Sequence, residues 1–248
     1  MACLDVFTAV CPTRKWHKEP LWLNKLLCVT VGTNVLPNAL LLLIDRRVRQ
    51  SIIQTKLRKR KFMKGIIFNL LEEAVTREFG ANTWDDLLDA AGLDGAYTSL
   101  GNYADEQVFE LVAAASTALK LSPADVLRWF GRSAMPIMAQ RYPVFFEGHS
   151  TTRGFLVTLN HIIHPEVGKL YPDAQTPTFE FDAGSDETLL VTYHSKRKIC
   201  ALAEGFMHGA ADHYDERIQL EHPQCMHHGA PKCLFKIKFA SKATEGAE

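Results

Sequence analysis

The sequence predicts one α+β domain: a helical lobe, then a mostly antiparallel sheet with helices, preceded by a basic N-terminal extension. Three observations carry this. Helical periodicity fills the first part of the chain beyond residue 62, strand alternation fills the last part, and the charge balance changes where the first pattern begins. The composition is that of a globular protein, with 248 residues, 47% hydrophobic and 23% charged. Net neutrality argues against a nucleic-acid binder, but the average hides a split. Residues 1–62 hold 12 Lys and Arg against Asp5, Glu19 and Asp45, whereas the other 186 residues hold 16 against 25 acids.

Within the extension, residues 26–44 are uncharged over 19 positions, close to the roughly 20 that span a membrane. Thr30, Thr33, Asn34, Pro37 and Asn38 interrupt that run, and a signal peptide fits poorly because Arg46, Arg47 and Arg49 follow it without a small-residue cleavage site. Three readings remain for residues 1–62: an over-extended start with Met63 as natural initiator, a poorly ordered basic arm, or a membrane anchor. Membrane contact is expected only in the third. Residues 63–240 form the expected domain and 241–248 a tail.

From Met63 the apolar positions Ile66, Ile67, Leu70, Leu71, Ala74 and Val75 recur at helical spacing. A second helix follows Asn82, with Thr83 as its cap and Asp85 and Asp86 in its first turn. A third spans 104–119, with Val108, Leu111, Val112 and Ala115 on one stripe. Ser122-Pro123 opens a fourth, with Pro at the first helical position, and a separate helix is expected from Ala134 to about Arg141. Residues 153–164 are again helical and apolar, and Pro165, Pro172 and Pro177 are expected to end that pattern. Two strands follow, TPTFEFDAG and ETLLVTYHSKR, then a helix from Lys198 to Asp215 and a hairpin closing on CLFKIKF.

Three constellations could carry chemistry. His164 ends an apolar helix in which Phe155, Leu159 and Ile163 form a wall, the setting in which a neutral imidazole holds haem iron. A lone histidine there is more often a helix-end residue satisfied by backbone, and His161, one turn earlier, is a rival ligand. Tyr193, Ser195 and Arg197 alternate along a strand and so share a face, offering two hydroxyls and a guanidinium fork to a ligand with two carboxylates, such as haem. The plain alternative is a polar strand face meeting solvent. Cys200, His222, Cys225 and Cys233 make a tetrahedral zinc set, structural because protein fills all four positions. His227 or His228 could replace His222, and the alternative is buried free thiols. Six cysteines are too few for a disulfide scaffold, and a Cys–His cluster fits a reducing, cytoplasmic compartment.

In order and spacing, these residues resemble the haem nitric oxide/oxygen binding (H-NOX) family, related to the haem domain of soluble guanylate cyclase, over about 178 residues from Met63 to Ala240. The resemblance implies haem b with His164 as axial ligand, since His164 lies 13 residues before Pro177, which would press on the porphyrin, whereas His161 lies 16 before it. It assigns Tyr193, Ser195 and Arg197 to the propionates, the most specific match. It also implies Zn2+ at Cys200, His222, Cys225 and Cys233, as in a bacterial subset. Members that hold oxygen use a tyrosine five residues after the motif arginine, where this chain has Leu202. Leu71, Leu202 and Phe206 are therefore expected to form an apolar distal wall, with Tyr97, Tyr103 and Tyr214 the phenols to check against it.

The function so implied is non-catalytic: a nitric oxide sensor that binds NO and CO, excludes stable O2 binding, and signals by release of the proximal histidine. No kinase, cyclase or nuclease motif occurs, so output would pass to a separate sensor histidine kinase or cyclic-di-GMP-metabolising enzyme. The main rival is a zinc-stabilised protein-interaction module without haem. A zinc hydrolase is disfavoured because the fourth ligand takes the place water would need.

Overall fold

Two hydrophobic clusters organise the chain, one among the first four helices and one between a four-stranded sheet and the helices beside it. The structure, a computed structural model, describes residues 62–185 and 187–240, all within the unit spanning residues 57–248. The expectations for residues 1–61 and for the tail lie outside the described residues. Among the described residues, no helix is long and apolar enough to cross a membrane.

The chain enters through β1 (Phe62–Lys64), which pairs antiparallel with β2 (Asn102–Ala104), a small sheet that the sequence did not predict. Between them lie α1 (Gly65–Phe79) and α2 (Ala81–Ala91). Helix α1 buries Ile66, Phe68, Leu70, Leu71, Ala74 and Val75. Thr83 is not a cap. Gly80, at φ 93°, turns the chain and takes the cap position, so α2 starts three residues earlier and the Thr83 hydroxyl donates to the Phe79 carbonyl at 2.9 Å. Helix α3 (Asp105–Leu119) follows β2.

Helix α4 (Pro123–Arg141) begins as expected, with Pro123 at its first position and the Ser122 hydroxyl accepting from the Asp125 N–H at 3.1 Å. It does not stop and restart near Ala134. It runs for 19 residues through Pro136, because tertiary packing outweighs the lost hydrogen bond. Its partner is α7 (Cys200–His213), and glycines let the two backbones meet. A methyl group added at Gly131 would lie 2.4 Å from the Leu202 carbonyl oxygen, and one at Gly205 would lie 2.1 Å from that of Arg128. One added at Gly209 would lie 2.7 Å from the oxygen of Arg132, the carbonyl that Pro136 deprives of its helical donor.

Pro165 does not end the next helical segment. After α5 (Thr152–Leu156) a π-helical turn (Leu159–Ile163) closes on the Ile163 N–H to Thr158 carbonyl bond, and α6 (His164–Leu170) takes Pro165 into its first turn. Strands β3 (Thr178–Ser185), β4 (Thr188–His194), β5 (Ile218–Gln224) and β6 (Cys233–Phe239) form one antiparallel sheet in the order β3-β4-β6-β5. Leu189, Val191 and Tyr193 point to its core face, with Thr188, Leu190 and Thr192 opposite. The α+β architecture, helices before sheet, is as predicted.

Gly205→Ala should lower unfolding stability by about 1–3 kcal/mol, because the added methyl group meets backbone rather than a movable side chain. Gly148→Ala, where nothing lies within 4 Å, should leave the urea midpoint nearly unchanged. Equal midpoints for the two variants would contradict the close-packed helix pair.

Candidate haem cavity and metal cluster

At the seam between the two clusters lies an apolar cavity of about 280 Å³, walled by α1, α4, α6 and α7 and by the β3–β4 edge. His164, Pro177, Tyr193, Ser195 and Arg197 all line it. His161 does not, and its side of the turn is exposed, so between the two candidate ligands the fold presents His164 to the cavity. The π turn sets this orientation, since its extra residue rotates the start of α6 about the helix axis. Asn160 anchors the turn: its amide donates to the Phe179 carbonyl, and its carbonyl oxygen accepts from the Phe179 N–H at 3.2 Å. Sequence reasoning missed Asn160. The ring of Phe179 in turn lies 5.8 Å from that of His164.

Burial alone pulls the His164 imidazole down to about 4. No charged or hydrogen-bonding neighbour contributes, so the ring is neutral at pH 7 and has a lone pair to offer a metal. Tyr193 is buried, and burial raises its phenol to about 12, opposed in part by the Ser195 hydroxyl bonded to it.

Tyr193, Ser195 and Arg197 do not share a strand face, because β4 ends at His194. A turn closed by the Lys198 N–H to Ser195 carbonyl bond, with the Ser195 hydroxyl accepting from the Arg197 N–H at 3.2 Å, brings the last two back to the cavity. Arg197 is already a hub. Its Nε donates to Asp105 at 2.8 Å, one terminal nitrogen to the Gln175 carbonyl at 2.8 Å, and the other to the Phe62 carbonyl. Two of its five N–H groups remain for a carboxylate ligand.

Leu202 and Phe206, expected in a distal wall, line the cavity. Leu71 does not; it is buried in the helical-lobe core, and Ile66, Ile67 and Leu70 present the lining face of α1 instead. None of the three phenols singled out from sequence lines the cavity. Tyr97 stacks on Phe68, Tyr103 donates to the Ala96 carbonyl and Tyr214 donates to that of Phe146. Besides Tyr193, two others do line it: Tyr142 and Tyr171, whose hydroxyls bond to each other at 2.5 Å. Each precedes a proline directly after a helix, a signal that marks where the chain turns inward but not that the phenol is buried.

The second cluster brings Cys200, His222, Cys225 and Cys233 together, with ligand atoms all within 4.8 Å of one another. Cys200 starts α7 and Cys233 starts β6, while a register shift in β5 between Glu221 and Gln224 turns His222 toward them. His227 instead contacts the Lys198 carbonyl, so the fold selects His222. The donors fit a tetrahedral ion. Sulfurs at about 2.3 Å from such an ion stand about 3.8 Å apart, and Cys200 and Cys225 Sγ are 3.8 Å apart. The Nε2 of His222 is buried without a partner. With protons in place of an ion, burial and the neighbouring sulfurs push the Cys200 thiol up to about 12. The two sites are adjacent, since Tyr193 pairs with Phe179 on one side and with Cys233 on the other.

The haem-NO-binding family model matches residues 64–222. In three dimensions the chain is similar to an H-NOX protein from Shewanella oneidensis solved in the Fe(II)NO state, at 32% identity and TM-score 0.68, covering 72% of this chain and all of that one. It is also similar to the H-NOX of Shewanella woodyi (29% identity, TM-score 0.63, 75% of this chain and 99% of that one) and to that of K. algicida (27%, 0.63, 74% and 100%).

Between pH 6.5 and about 4 the unfolded chain takes up a proton at His164 that the folded chain refuses. Stability of the haem-free protein should therefore fall as pH drops through that window. His164→Leu should flatten the slope in urea titrations run at several pH values. An unchanged slope would mean that the imidazole is not buried.

Proposed function

The chain belongs to the haem-NO-binding (H-NOX) family, and on that premise we propose that it is a haem-based nitric oxide sensor that binds NO and CO. Haem, when bound, supplies a ferrous iron with one face for the protein ligand and the other for a diatomic gas. The observation that carries the reading is the neutral His164 imidazole, facing an apolar cavity with nothing in the protein bonded to it.

In this reading His164 would hold the iron and Pro177, on the cavity wall, would press on the porphyrin. Tyr193, Ser195 and the two spare N–H groups of Arg197 hold the propionates. Leu202 and Phe206 exclude water and offer no donor to a bound gas. Oxygen, which gathers negative charge when bound, needs such a donor, whereas NO and CO need it far less, so stable O2 binding is excluded. Release of His164 on NO binding would be the signal. Once let go, α6 would still be held by its packing, by the Asn160 clamp and by the Tyr142–Tyr171 hydroxyl bond at its end, a two-state element biased by ligand. The Cys200/His222/Cys225/Cys233 cluster takes zinc and keeps α7, β5 and β6 in fixed relation, so movement concentrates at the cavity. The chain acts as a receptor rather than a catalyst, and its output passes to a separate sensor histidine kinase or cyclic-di-GMP-metabolising enzyme. Cytoplasmic location follows from the reduced thiols this requires.

Absorption spectra of the reduced protein test the selectivity. NO and CO should each shift the main haem band, and air should produce no lasting gas-bound spectrum. A persistent one would overturn the apolar-wall argument. Tyr142→Phe and Tyr171→Phe would then identify the donor, since one proton of that phenol pair is not used between them.

A further inference from the structure

The one imidazole of the metal cluster has its second nitrogen engaged by the protein. Nδ1 of His222 lies 2.6 Å from one oxygen of Glu204. The other oxygen of Glu204 accepts from Arg128 Nε, and Arg128 also donates to Asp125 at 2.7 Å. Asp125 in turn accepts from the Ser122 hydroxyl at 2.6 Å, the residue that caps α4. Glu204 is only 5% exposed, so it is a carboxylate kept in the interior by these two partners. It stands one turn beyond Cys200 on α7, so a single helix brings both a sulfur donor and this carboxylate to the cluster.

We propose that Glu204 is the positioning residue of the metal site: it holds the proton of His222 on Nδ1 and thereby aims the bare Nε2 at the three sulfurs. A ring nitrogen becomes a good ligand when its partner nitrogen donates to a fixed acceptor, which sets the tautomer, locks the ring and raises the basicity of the ligating atom. Both halves of that arrangement are present. Nδ1 has a carboxylate acceptor, and Nε2 is buried with no hydrogen-bond partner. The 4.4 Å approach of the Phe235 ring limits how the imidazole can turn. Arg128 holds the carboxylate in place through its other oxygen, and because it belongs to α4 it ties the metal site to the helix pair that walls the cavity.

The inference rests on reading the cluster as a zinc site, and the test separates the two. Zinc affinity of the full chain is measured by competition with a chromophoric chelator for the wild type, Glu204→Leu and Glu204→Gln. Nitrogen-15 spectra of the zinc-loaded and zinc-free wild type and Glu204→Gln proteins report which nitrogen of His222 carries the proton. The wild type should bind one zinc, with the proton on Nδ1 in both states. Glu204→Leu should bind 10- to 100-fold more weakly. Glu204→Gln keeps a neutral acceptor for the Nδ1 proton and should recover part of that loss. A wild type that binds no stoichiometric zinc defeats the zinc reading itself. Zinc binding by the wild type, with equal affinity in both variants and an unchanged proton position, defeats the positioning role alone. Should Glu204→Leu fail to fold, Glu204→Gln decides: wild-type affinity with a mixed tautomer overturns the proposal, and a drop of several-fold with the Nδ1 proton retained supports it.

Discussion

A neutral imidazole facing a cavity with almost no polar lining is the constraint around which the rest of this fold is arranged. Several elements together bring His164 there. A π turn fixes the ring's direction, Asn160 binds that turn to the backbone of β3, and Phe179 and Pro177 close the wall beside it.

Helix α7 links this cavity to the metal cluster. Leu202 and Phe206 face the cavity, Cys200 joins the cluster, and Gly205 and Gly209 bring the helix against α4 at backbone distance. Arg197 performs a similar linking task on the other side. Its guanidinium ties the first strand, the start of α3 and the loop before Pro177 to one point at the cavity rim. The Asp105–Arg197 pair is almost fully buried, 4% and 7% exposed at the side chains. Such a pair contributes little net stability but makes the loss of either partner costly, so its value lies in holding the rim to one geometry.

The fold class and most elements were legible in the sequence because periodicity and capping are local signals. Ser122-Pro123 marks its helix start without help from the rest of the chain. The continuity of α4 through Pro136 was not legible, because it depends on glycines of α7 more than 65 positions away in sequence. The small sheet of β1 and β2 was missed since three-residue strands carry no periodicity. Among the site residues, the cysteines and the Tyr-x-Ser-x-Arg spacing announce themselves by residue type, and the structure gathers all of them. Leu71 was expected at the cavity where Leu70 stands, because one residue on a helix is a rotation of about 100°. Tyr142, Tyr171, Asn160 and Glu204 were invisible for a different reason: each is an ordinary polar residue whose role exists only once distant elements have packed.

The account depends most on His164 being the group that holds haem iron, and exchanging the two candidate histidines one at a time tests this directly. His164→Gly expressed with ample haem should emerge without the strong violet absorption band and regain it when imidazole is supplied, while His161→Gly should retain haem as the wild type does. Full haem retention by His164→Gly without imidazole, or loss in His161→Gly alone, would contradict the account.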